Sequence, residues 1–284
     1  MLTMDDQSLP AAADALALLG DETRLAIVLA LHDHEHRDSG GLEFEALRHA
    51  VGVTDSGRFN YHLDKLRGRY CYRDDGAYRL RFAGRTIADL IKSGALVEDV
   101  PEVGGQTAIA CPTCEVLMDA HYEGGRFELG CPVEDEIFLS LPLPPGAVRS
   151  RSIEELTDLA SLTSLHYVEL AREGACPFCW GQITTAFSDA DESVVVGHDC
   201  DTCGVTISER ASLVPLSHPT VTAFHADEGI DVDGTFFEKL RVLDTSSAWV
   251  TGETVTVRYE GASENLVVEL DGTDVVSVDR QPRE

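Results

Sequence analysis

The sequence predicts an α+β protein, with helices in its N-terminal part and antiparallel hairpins around one long helix after them. Three observations predict it. Apolar residues recur at helical spacing through most of the first 95 positions, interrupted by one Asp-Asp-Gly turn between two short strand patterns. Seven of the eight cysteines fall into two groups, Cys111, Cys114 and Cys131, then Cys176, Cys179, Cys200 and Cys203. Beyond about residue 254 apolar and polar residues alternate, as in strands with one solvated face.

Taken in order, a helical pattern over residues 11–19 breaks at Gly20, and Asp21 caps a second apolar helix to residue 31. The polar segment 32–41 reads as a loop. A third helix over residues 44–50 ends at Gly52, and a fourth starts at Thr54 or Asp55 and runs to about Arg67. Strands over 70–73 and 77–82 flank Asp74-Asp75-Gly76, whose Asp-Gly step is a strong hairpin signal, and residues 83–93 return to helix. Helices, a hairpin, then a helix is the order of a winged helix-turn-helix, expected over residues 10–95.

The remainder is built differently. A zinc-ribbon-like hairpin is expected over 105–145, with a linker at 142–146, and a connecting helix over 150–173 opened by the capping box Ser152-x-x-Glu155. A four-cysteine ribbon follows over 174–215. Residues 218–284 hold a short helix to about 228 and strands over 254–259, 266–270 and 275–278. Cys111-Pro112-x-Cys114 and Cys131 overlay Cys176-Pro177-x-Cys179 and Cys200, as in a diverged internal repeat.

The second cysteine group carries the strongest chemical signal. Two Cys-x2-Cys pairs twenty residues apart, with Gly204 after the last, supply four thiolates from two knuckles, a closed tetrahedron for Zn²⁺ with no open position for substrate. Structural zinc at Cys176, Cys179, Cys200 and Cys203 is the expectation. Cys111, Cys114 and Cys131 offer three ligands, and the repeat sets Glu134 where Cys203 would stand. Either Glu134, Asp135 or His121 completes a weaker site there, or the ribbon is degenerate and held by packing. The lone Cys71 reads as a small buried apolar residue. His32, His34 and His36 alternate in a polar segment and read as solvated.

Charge bounds the partners. The chain has 50 acidic and 22 basic residues, a formal net charge of -28, and only Lys65, Lys92 and Lys239 are lysine. Acid-rich, lysine-poor surfaces suit a protein kept soluble in molar salt, where the Debye length falls to about 3 Å. Yet residues 55–92 carry nine basic and five acidic side chains, a local +4 that leaves -32 elsewhere. On a helical wheel Phe59, Leu63 and Leu66 share the inward face of the fourth helix. Gly57, Arg58, Tyr61, Asp64 and Lys65 then point away; Ser56, Gly57, Arg58, Asn60, Tyr61 and Lys65, with Arg67 after them, are candidates to meet double-stranded DNA, and Arg73 and Arg79 flank the hairpin turn. Arg, Lys and Asn supply the donors and acceptors that base edges and phosphates require.

Leu19-Gly20-Asp21-Glu22-Thr23-Arg24-Leu25, followed by His62-Leu63-x-x-Leu66 and a hairpin, resembles the ArsR-like winged-helix transcription regulators, in particular haloarchaeal members with cysteine-rich C-terminal regions. The resemblance covers about residues 10–93. It implies a homodimer on an imperfect inverted repeat, with the fourth helix in the major groove and the hairpin along the backbone. The metal-sensing members carry cysteine on the helix before recognition; residues 44–50 have none, which argues against arsenic-type or lead-type sensing.

No phosphate-cradling GxxxxGK[ST], GxSxG or HExxH is present, so a non-enzymatic role is expected. The acidic start Met1 to Asp6 has no signal-peptide pattern and no apolar run reaches about 20 residues, so a cytoplasmic protein off the membrane is expected. The functional expectation is a sequence-specific transcription regulator whose C-terminal region dimerises, senses a ligand or contacts the transcription machinery. The competing expectation is a zinc-ribbon interaction module whose winged helix touches protein or RNA.

Overall fold

The computed structural model describes residues 8–38, 40–96, 102–190 and 193–283. Among the described residues the protein is a mixed α/β molecule with four sheets, all antiparallel, and it divides into two compact units. One unit contains residues 8–96 with 144–146, and the other residues 102–143 and 147–283.

The described residues of the first unit form five helices, α1 (Ser8–Ala17), α2 (Glu22–Asp38), α3 (Phe44–Val51), α4 (Ser56–Leu66) and α5 (Phe82–Lys92). Strands β1 (Leu42–Glu43), β2 (Cys71–Asp74) and β3 (Ala77–Leu80) form a sheet in the order β1-β3-β2. Asp75 and Gly76, at φ +48° and +85°, make the two-residue turn between β2 and β3, the conformation that favours Asp-Gly and matches the twist of a hairpin. Ile27, Val28 and Leu31 of α2, Leu47 of α3, Phe59, Leu63 and Leu66 of α4, and Ala88 of α5 meet in one core under Cys71, Tyr78 and Leu80. Each large side chain so buried stabilises the unit by about 1.5–3 kcal/mol.

One expectation fails in this unit. Residues 32–41, expected as a loop, continue α2 to Asp38. Glu35 there accepts the Leu80 backbone N–H at 2.7 Å and pairs with Arg85 at 2.8 Å, while His32 meets Asp89 at 3.0 Å. Those partners lie 45 to 57 residues away, so a local reading of the polar run misses them.

The second unit opens with a meander, β4 (Val103–Ala110), β5 (Leu117–Glu123), β6 (Arg126–Cys131) and β7 (Glu136–Pro142), rather than with a single hairpin. Helix α6 (Ile153–Arg172) starts at a complete capping box between Ser152 and Glu155 and buries Leu156 and Ala160 against Met118, Tyr122, Phe127, Leu129 and Leu139. Next come β8 (Ile183–Ala190), β9 (Ser193–Cys200) and β10 (Thr206–Arg210) in one sheet, then α7 (Pro219–Asp227) and α8 (Phe236–Leu240). A second meander, β11 (Ser246–Thr251), β12 (Thr254–Glu260), β13 (Glu264–Asp271) and β14 (Asp274–Pro282), ends the unit. Its inward residues Val255, Val257, Tyr259, Leu266, Val268 and Leu270 form a second core with Val194, Val196, Val214 and Phe224. Among the described residues, no helix is long and apolar enough to cross a membrane.

Candidate metal centre and nucleic-acid interface

Four sulfurs, those of Cys176, Cys179, Cys200 and Cys203, converge between the start of the β8 hairpin and the β9–β10 turn, all within 4.8 Å of one another. The Cys176–Cys203 and Cys179–Cys200 sulfur separations are 3.7 and 3.5 Å. A disulfide would need about 2.05 Å. Four sulfurs about 2.3 Å from one zinc ion stand roughly 3.8 Å apart along the edges of the tetrahedron, so the spacing fits a thiophilic tetrahedral ion.

Two turns build this geometry. The Cys176 N–H donates to Gly181 O at 2.9 Å and the Trp180 N–H to Cys176 O at 3.0 Å; the second turn repeats this with Cys200 and Val205 at 2.9 Å and Gly204 and Cys200 at 3.0 Å. Backbone N–H groups also point at sulfur, Phe178 to Cys176 at 3.4 Å and Thr202 to Cys200 at 3.4 Å. The N–H groups of Cys203 and Thr202 outweigh desolvation and bring the Cys200 thiol down to about 6. For Cys179 the Gly181 N–H acts downward, but desolvation and the neighbouring sulfurs push it up to about 12. A Cβ at Gly181 would collide with the Thr202 side chain, so only glycine lets the two turns close around the sulfurs.

In the other unit, α4 is set by Asp55, whose carboxylate accepts the Arg58 N–H at 2.7 Å. Phe59, Leu63 and Leu66 are fully buried, and Ser56, Gly57, Arg58, Asn60, Tyr61, Lys65 and Arg67 are exposed. Asp64 shares that face. It accepts from Asn60 Nδ2 at 2.9 Å and from Arg67 at 2.9 Å, while Lys65 Nζ lies 5.5 Å from the Tyr61 ring centroid. His62 is buried instead, with Nδ1 3.2 Å from the Asp21 carboxylate. Arg73 is exposed near the hairpin turn, whereas Arg79 is only partly exposed and sits 3.8 Å from Asp74. Cys71 is fully buried, and desolvation pushes its thiol up to about 11, which makes it an inert core residue.

A family model described as "Domain of unknown function (DUF7351)" matches residues 108–276, more than half of the sequence. The chain belongs to the DUF7351 family. A second model, "Domain of unknown function (DUF7347)", matches residues 12–91 and so covers α2 to α4 and most of α1 and α5. Comparison with curated proteins and with solved structures found no match.

The DUF7351 region holds both cysteine groups and one polar line that sequence reasoning missed. Thr185 Oγ1 lies 2.9 Å from His198 Nδ1, and His198 Nε2 lies 3.2 Å from Glu209 Oε1. This is the hydroxyl, imidazole, carboxylate order of nucleophilic catalysis. Here His198 is completely buried and Glu209 is also gripped by Arg172, through Nε at 2.8 Å and through a second guanidinium nitrogen. Through these contacts the line ties β8, β9 and β10 to the end of α6. Beside it lies a cavity of about 920 Å³, bordered by β7, α6 and β10. Its walls include Leu139, Leu165, Val168 and Leu213, and its Arg172 and Arg210 are paired with Glu209 and Glu136.

Proposed function

We propose that the protein is a sequence-specific DNA-binding transcription regulator of the ArsR-like winged-helix type, with structural zinc in the four-cysteine site of its DUF7351 region. The observation that carries this reading is the outward face of α4. Arg58, Asn60, Tyr61 and Lys65 stand together in solvent within the +4 segment of a chain of charge -28. Elsewhere the protein would repel a polyanion; on this face base-reading and phosphate-binding groups project together. The β2–β3 hairpin with Arg73 then lies along the backbone, and dimerisation presents two copies of α4 to an inverted repeat.

Salt sets the balance of forces. Counterion release weakens steeply as salt rises, so phosphate contacts alone bind poorly in molar salt. Base contacts, ordered water and dimerisation therefore carry an unusual share of the affinity. The test is selection of genomic fragments by purified, zinc-loaded protein in molar KCl, followed by sequencing. Enrichment of one inverted repeat supports the regulator.

A second reading has its own observation. Trp180 is 71% exposed and Phe178 is 40% exposed, both at the first four-cysteine turn. Exposed aromatics on a rigid turn suit protein recognition, and a folded, zinc-bound protein that enriches no DNA fragment favours an interaction module.

A further inference from the structure

Cys111, Cys114 and Cys131 make a second cluster, with their three sulfurs also within 4.8 Å of one another. Cys111 and Cys131 are buried and Cys114 is half-buried. The Cys114 and Cys131 sulfurs are 3.4 Å apart, too far for a disulfide and close to the spacing in the four-cysteine site.

The backbone around this cluster follows that of the closed site. The Cys111 N–H donates to Val116 O at 2.8 Å and the Glu115 N–H to Cys111 O at 3.0 Å, matching Cys176 with Gly181 and Trp180 with Cys176. Glu115 and Trp180 hold the same left-handed conformation, at φ +60° and +62°. In the second turn the Glu134 N–H donates to Cys131 Sγ at 3.4 Å, as the Cys203 N–H does to Cys200 Sγ at 3.5 Å. Asp135 at φ +53° stands where Gly204 stands at +74°. The turn that carries the fourth thiolate in the closed site is thus kept here, with Glu134 in that place and exposed to solvent.

The other oxygen and nitrogen candidates fall away. His121 is on the exposed side of β5, 3.4 Å from Glu123, and among the described residues no imidazole or carboxylate, that of Glu134 included, is grouped with the three sulfurs, so the fourth position at the Glu134 turn stands open. Cys111 and Cys131 belong to the core of this unit and Cys114 packs against it, but packing alone does not require all three sulfurs to stand within 4.8 Å of one another. Three thiolates and one solvent-facing position form an open site, the arrangement in which an ion takes an exchangeable ligand.

We propose that Cys111, Cys114 and Cys131 hold a thiophilic divalent cation whose fourth position is an exchangeable oxygen donor at Glu134, either its carboxylate or a water. The ion in this site exchanges with competing chelators and thiols, while the ion in the four-cysteine site stays closed to them. Metal status at this open site is then a signal that the second unit can report. The proposal does not depend on DNA binding.

Cobalt(II) is the probe, because its visible bands distinguish four-sulfur from three-sulfur coordination. The full chain is stripped, titrated with Co²⁺ in molar KCl and then challenged with EDTA. Two ions per chain are expected, one with four-sulfur bands and one with three-sulfur bands, the latter lost first. Glu134→Cys restores the fourth sulfur at an exposed position; it converts the second set of bands to the four-sulfur type and removes the fast EDTA phase. Cys114→Ser drops the stoichiometry from two to one while the four-sulfur bands persist. Uptake of one ion by the wild type overturns the proposal, even if Glu134→Cys takes two. So does a second ion whose bands and release do not respond to Glu134→Cys.

Discussion

At the scale of single residues, α4 divides its side chains by role. Arg58 is exposed on the first turn and Arg73 is exposed at the hairpin, so under the proposed function the first is assigned to base edges and the second to phosphate. Arg58→Ala is expected to cost about 1–3 kcal/mol on the selected site and to remove discrimination there. Arg73→Ala is expected to weaken all sequences alike and to lower the salt slope by about one unit. Fluorescence-anisotropy titrations over a KCl series check both, and equal loss of specificity from the two variants contradicts the division. Arg79, equally promising in sequence, is a poorer phosphate contact because it is partly covered beside Asp74. His225 supplies a different residue-scale prediction. It lies 4.7 Å from the Tyr259 ring in the core with Nε2 unpartnered among the described residues, and desolvation lowers it from 6.5 to about 4. The unfolded chain therefore binds a proton that the folded chain refuses between those values. Stability falls as pH drops from 6.5 towards 4, by about 3 kcal/mol for this group. His225→Gln is expected to flatten that part of the pH profile in urea titrations.

At the scale of elements, the same reasoning explains which parts were legible. The period of Phe59, Leu63 and Leu66 marks α4, Asp75-Gly76 marks the hairpin, and Ser152-x-x-Glu155 marks α6, because in each the decisive contact lies within a few residues. Helix α8 was signalled as well, since Thr235 and Glu238 form a capping box, but its brevity hid it. Strand β11 gave little pattern: Trp249 and Val250 face solvent on this edge strand, so its apolar residues do not mark a core. The bracing at Glu209 of β10 was illegible because its partners come from two other elements, β9 through His198 and α6 through Arg172. Glu209 is almost wholly buried, and although desolvation acts upward, His198 and Arg172 hold its carboxyl below 4.5. Its stabilisation is present above that value and is lost as pH falls through the lowered one. Removing one member of a buried pair strands the other, so Glu209→Ala is expected to cost about 3–5 kcal/mol. Ser152→Ala, which removes only a helix cap, is expected to cost about 1 kcal/mol. Denaturant melts of the two variants check the order, and equal losses contradict the bracing role.

At the scale of the whole molecule, two terms act on different parts of the chain. The net negative charge lies wholly outside residues 55–92, which are +4 against -32 in the remainder, so self-repulsion at low salt bears chiefly on the acid-rich remainder and is screened as the Debye length shrinks from about 10 Å to 3 Å. An ion held by the cysteine clusters would act on the second unit, since both clusters lie there. A bound zinc in a four-thiolate site contributes on the order of 10 kcal/mol to the fold around it. The N-terminal unit has its own core, from Ile27 to Ala88, and no metal-ligand cluster among its described residues. Chelation in molar KCl is therefore expected to abolish protection of β8 to β10 amides in hydrogen exchange, while amides of α2 to α5 stay protected. Diluting the salt without chelation is expected to lower stability with the metal still bound. Loss of protection in both units on chelation would mean that the N-terminal helices depend on the cysteine-bearing unit for their stability. The proposed DNA binding would then be metal-dependent through folding itself, whereas retention in α2 to α5 leaves the metal to act only on what the second unit does.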